Sequence, residues 1–152
     1  MTDSADQARQ ELLGELAAAT DRIGVGLAAV GGAYELLDEY NADRLEEELF
    51  RPIQLGYGRA QRTYAGFAER MGLPGRSFAS AIAGAPSHGV RGFLEEAVEA
   101  IEDADDMLGR LQDSMMPVEV GDAELRADLA EVRRLLGGVE QRARQFIGTV
   151  GR

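Results

Sequence analysis

The chain has 152 residues, one histidine, no cysteine and a net charge of −11. Its length suits one domain with its own core, and the lack of cysteine excludes disulfides, thiolate metal sites, cysteine nucleophiles and iron–sulfur clusters. The negative charge argues against a general nucleic-acid or anionic-membrane binder, whose phosphate contacts need a basic surface.

The polar, acidic stretch Met1 to Gln10 does not read as a signal peptide. The most apolar segment, Val25 to Tyr34, is too short to span a bilayer. The expectation is a soluble, cytoplasmic protein whose residues 1–152 form a single domain.

From Leu13 to Leu37, apolar or small residues recur at alternating spacings of three and four, the heptad of a helix that packs lengthwise against others. This first helix is predicted from Asp3 to Tyr40. Ala17, Gly24 and Gly31 lie along one flank of the seam, and Ala19, Gly26 and Ala33 along the other. The four glycines between Gly24 and Gly32 cost an isolated helix about 3 to 4 kcal/mol relative to alanine. Close approach of neighbouring helices is the expected compensation.

Asn41 to Asp43 reads as a tight turn, with Asn41 or Asp43 capping the next helix. Helix two then runs to about Met71 on a seam of Phe50, Ile53, Tyr57, Ala60, Tyr64, Phe67 and Met71. Pro52 falls inside it and predicts a kink or short break between Glu48 and Pro52. Gly72 and Pro74 stop the helix. A 14-residue connection from Leu73 to Pro86 follows, with a turn or two of helix expected from Ser77 to Ala83 and anchored by Phe78 and Ile82.

Helix three, capped by Ser87, continues to Pro117 on a seam from Val90 to Met115. Asp122 caps helix four, whose seam runs from Leu125 to Val150. Together these predict an all-α, four-helix up-down-up-down bundle with a long first helix. Helices one and three each carry a charge of −6, and sequential packing sets them on a diagonal.

If the first hairpin turns at Asn41, Gly24 falls near Gly58 and Gly26 near Gly56, and Tyr57 faces the bare stretch of helix one. Close packing is one account of this layer. The other is a mid-bundle pocket for a small apolar ligand, bounded by Gly24, Gly26 and Leu27 and oriented by the hydroxyls of Tyr34, Tyr57 and Tyr64.

No cofactor or metal is expected. A di-iron or di-manganese centre in a bundle needs two inward Glu-x-x-His pairs, and there is one histidine. The stripe Glu95, Glu99, Glu102 and Asp106 reads as an outward, solvated face. The segment His88-Gly89-Val90-Arg91-Gly92 resembles the His-x-x-Arg-Gly pattern of histidine phosphotransfer domains, and that resemblance implies a phosphoacceptor role for His88.

No Ser/His/Asp set or nucleotide fingerprint appears. The leading expectation is therefore a non-enzymatic interaction or assembly protein whose partner is itself or another protein. Outer-face glycines such as Gly32, Gly137 and Gly138 supply flat surface for self-association. The alternatives are the ligand carrier and the phosphotransfer protein.

Overall fold

The computed structural model describes residues 4–84 and 89–150. Among these the regular elements are all helical: α1 (Ser4–Tyr34), α2 (Glu39–Leu45), a π-helical turn (Glu46–Phe50), α3 (Arg51–Arg70), α4 (Gly89–Asp113), α5 (Met116–Glu119), α6 (Ala123–Leu136) and α7 (Val139–Val150). The elements from α2 to α3 form one uninterrupted rod. No described helix is long and apolar enough to cross a membrane. The predicted start at Asp3 and the Ser87 cap lie outside the described residues.

α1 buries the predicted seam residues Leu13, Leu16, Thr20, Ile23 and Val30. The Thr20 hydroxyl donates to the Leu16 carbonyl at 2.8 Å, so the one polar residue on the seam is satisfied. The helix stops at Tyr34 and not at Tyr40, making it about 46 Å long. Asp38, not Asn41 or Asp43, caps the next helix by accepting the Asn41 backbone N–H at 2.8 Å. Glycine's weak helix propensity at Gly31 and Gly32, beside a strong cap three residues before Asn41, moves the boundary forward.

Paired residues give each helix its direction. Between α1 and α4, Arg22 meets Asp103 at 2.9 Å, Gly26 lies against Ile101 and Gly32 against Phe93, so numbers rise on one helix as they fall on the other. α1 and α3 are likewise antiparallel, with Gly24 against Tyr57 and Gly31 sharing a groove with Phe50. So are α3 and α6, through Arg70–Asp122 and Arg59–Asp128. The same holds for α4 and the α6–α7 rod, through Asp105–Arg133 and Glu102–Arg144.

In chain order the rods therefore point up, down, down, up, which corrects the expected up-down-up-down order. α1 and α4 share the largest interface. The two acidic helices are neighbours rather than diagonal, because small residues on α1 admit α4 closely and Arg22 ties one of its acids.

That order also explains the connection. α3 ends at the pole where α1 begins, whereas α4 begins near Gly32. The link must climb the molecule; its described part runs over residues 71–84, and the end of the expected connection, at Pro86, lies outside the described residues. Its described part has no helix between Ser77 and Ala83. Phe78 is an anchor, meeting the Tyr64 ring edge-to-face at 5.6 Å, but Ile82 is 94% exposed. A segment that must gain height is extended, since a helix rises only about 1.5 Å per residue.

The seam of α3 shifts as well. Ile53, Gly56, Ala60, Thr63 and Phe67 are buried, while Tyr57 and Tyr64 are half-buried on the shoulder beside α1. Gly56 meets Leu136 rather than Gly26. The fourth helix is broken where Gly138 takes φ +81°, so Gly137 and Gly138 form a corner rather than a flat face. Gly32, expected on the outside, faces Phe93. A short helix, α5, fills the turn after Met115, which itself adopts φ 69°.

The proline in the second rod is accommodated by the π turn that precedes it, where the Arg51 N–H bonds the Glu46 carbonyl. Pro52 has no N–H to offer the carbonyl four residues back, that of Glu48. The Arg142 Nε of α7 donates to that oxygen at 3.0 Å. Arg142→Ala is expected to lower stability by about 1 kcal/mol through the lost charge-assisted bond, measured by urea unfolding. A Pro52→Ala background restores a backbone donor and should shrink that loss.

Candidate functional site

Gly24, Ala28 and Gly31 recur on one face of α1, so that face presents little beyond backbone. Tyr57 and Phe50 stand across from it on the second rod, and Ser80 and Ala81 of the climbing segment form the remaining wall. The result is a groove of about 230 Å³ with Leu27 also in its lining. A second groove of about 290 Å³ continues from it, sharing Gly31 and Phe50 and adding Tyr34, Glu35 and Glu46. Both are open to solvent.

Of the six residues expected at a ligand pocket, the structure brings Gly24, Leu27 and Tyr57 together. A methyl group on Gly24 would sit 3.1 Å from the Tyr57 ring, so this contact depends on glycine. Tyr34 lies in the adjoining groove. Gly26 points away, and a methyl there would lie 2.9 Å from Ile101. Tyr64 is engaged with Phe78, over whose ring the Arg76 guanidinium sits at 4.5 Å. The three tyrosines therefore do not converge on one ligand. Sequence reasoning missed Ser80 and Ala81, because nothing local fixes where an extended segment will lie.

Arg76 also pairs with Asp21 at 3.0 Å, pinning the climbing segment to α1. Burial pushes the Tyr57 phenol above its ordinary pKa. The Asp21 charge adds to that rise and Arg76 opposes it. The hydroxyl is therefore a neutral hydrogen-bonding group at any physiological pH. A shallow, mostly carbon-lined trough with one phenol is suited to binding an apolar surface.

His88 lies outside the described residues, and Arg91, three positions on, pairs with Glu95 at 2.8 Å. Along α4 the acidic stripe is partly answered by α6 and α7. Arg133 meets Asp105 at 2.9 Å, and Arg144 reaches Glu102 at 3.0 Å and Glu140 at 3.2 Å. The Glu140 carboxyl beside it raises the Glu102 pKa, with Arg144 pulling the other way. Among the described residues no group of three or more histidine or carboxylate side chains is arranged to hold a metal ion.

No protein family, curated protein or solved structure matches this chain.

Proposed function

We propose that this chain is a four-helix bundle of the crossover type, acting as a non-enzymatic interaction protein that associates with itself and with other proteins. One observation carries the reading. Large apolar side chains stand in solvent, with Tyr40 at 72%, Val118 at 58%, Met115 at 53% and Leu55 at 52%, while the interior is filled by residues such as Phe67, Phe146 and Leu16. Met115 and Val118 share one turn of chain, and contiguous exposed apolar surface is what marks a contact site. A cysteine-free chain fits the reducing cytoplasm, and the acidic surface favours protein partners over nucleic acid.

Sedimentation velocity over a wide range of loading tests this reading. The expected result is a sedimentation coefficient that rises with concentration. A value that stays at the monomer position up to the solubility limit overturns self-association.

The groove over Gly24, Leu27 and Tyr57 favours a second reading, a carrier of a small apolar ligand. Native mass spectrometry of protein purified from its own cells separates the two. A ligand-sized mass lost on denaturation supports the carrier, and a bare oligomer or protein complex supports the interaction reading.

A further inference from the structure

Among the described residues, Met115 is the only one other than glycine with a positive φ, at 69°. Glycine enters that conformation freely, whereas a side chain resists it. The turn around Met115 is nevertheless held on every side. Its own carbonyl accepts the Val118 N–H at 3.0 Å and the Glu119 N–H at 2.8 Å, which closes α5. Before it, the Ser114 hydroxyl donates to the Leu111 carbonyl at 2.7 Å. After it, Pro117 is buried and its carbonyl accepts from Arg126 at 3.2 Å, while the Arg9 Nε donates to the Val120 carbonyl at 3.0 Å. None of these bonds uses the Met115 side chain.

That side chain stands in solvent, 53% exposed and one turn from the exposed Val118. Neither packing nor backbone conformation calls for methionine here, since glycine would suit the φ and a polar residue would suit the exposure. The other described methionines are placed differently. Met71, Met107 and Met116 are each half-buried and packed against the core. Met1 lies outside the described residues. Access of solvent to sulfur therefore separates Met115 from the other three.

Access decides one kind of chemistry. A methionine thioether reduces hydrogen peroxide in a two-electron step that needs no other reactant. A sulfur lone pair attacks one peroxide oxygen, and the S–O bond forms as the O–O bond breaks. The departing oxygen takes up the proton of the transferred hydroxyl and leaves as water. Sulfur ends as the sulfoxide, a polar group in place of an apolar one. In the core that dipole would lack a partner. At Met115 it stays in water, and the bonds that hold the turn are untouched.

We propose that Met115 is a site of oxidative modification, at which hydrogen peroxide forms the sulfoxide ahead of the other described methionines and turns the patch shared with Val118 from apolar to polar while the fold stays intact. The proposal stands apart from the interaction reading above and does not depend on it.

A time course with dilute hydrogen peroxide on the full chain tests it, with peptide mapping by mass spectrometry following each of the five methionines. Met115 is expected to gain oxygen about fivefold faster than Met71, Met107 or Met116. The preference should vanish in concentrated urea, where every sulfur is exposed alike. The form oxidised at Met115 alone should elute earlier than the native chain from a hydrophobic-interaction column and melt at an unchanged temperature by circular dichroism. Met115→Leu keeps an apolar side chain without the reactive sulfur, and that product should then be absent. Met71, Met107 or Met116 reacting as fast as Met115 in the folded chain, or a preference that survives in urea, overturns the site. A Met115 sulfoxide that elutes with the native chain, or that melts lower, overturns the change of surface on an intact fold.

Discussion

Asp122→Ala is expected to lower the unfolding free energy by about 2 kcal/mol, measured by chemical denaturation near neutral pH. Two functions are lost together. Asp122 caps α6 by accepting the Leu125 N–H at 2.8 Å. Its two oxygens also receive the Arg70 guanidinium, at 2.7 and 3.0 Å, joining the end of α3 to the start of α6.

The sign of the pH effect follows. Arg70, and then the Leu125 backbone bond, hold the Asp122 carboxyl below the ordinary aspartate value, with burial opposing them. A carboxylate with a depressed folded pKa contributes stability that is present above the unfolded value. That contribution is lost as pH falls below about 4 and on through the folded pKa. Asp122→Asn keeps a good cap but not the charge. It should cost less than alanine near neutral pH and flatten the acid limb of the stability curve. An unaltered acid limb in the Asn variant would count against this assignment.

Gly31→Ala and Gly32→Ala are expected to shift stability in opposite directions although they are adjacent. At Gly32 an added methyl would lie 2.8 Å from the Phe93 ring, in the closest part of the α1–α4 interface. Overpacking there outweighs the gain in helix propensity, for a net loss of about 2 kcal/mol. At Gly31 nothing lies within 4 Å of the added methyl, so the propensity gain of about 1 kcal/mol stands alone. Thermal unfolding of the two variants side by side decides the matter. Equal signs would mean that the glycines act only through propensity.

These glycines also show how far the sequence could be read. The heptad seam of α1 and the bareness of its shoulders are local properties, and both predicted close neighbours. Gly26 and Gly32 meet α4, and Gly24 meets Tyr57. The last contact appears despite the misplaced turn. What the pattern could not say was which helix would fill which shoulder, and Gly26 was accordingly placed beside α3 instead of α4. Of the candidate pocket, Gly24, Leu27 and Tyr57 were legible from spacing. The separation of Tyr34 and Tyr64 from them was not, because it depends on where the climbing segment crosses.

Periodicity, proline and glycine positions and capping residues determined by themselves that the chain is helical, where most rods end, and that Pro52 disturbs the second. Those signals act within a few residues of chain. Only the tertiary structure decided that α4 runs alongside α1 in the up-down-down-up order, that Arg142 supplies the donor Pro52 lacks, and that the climbing segment walls the groove over Gly24 and Tyr57. Each of these depends on contacts between residues far apart in sequence, and a seam of apolar residues specifies that a helix must be covered without specifying by which neighbour.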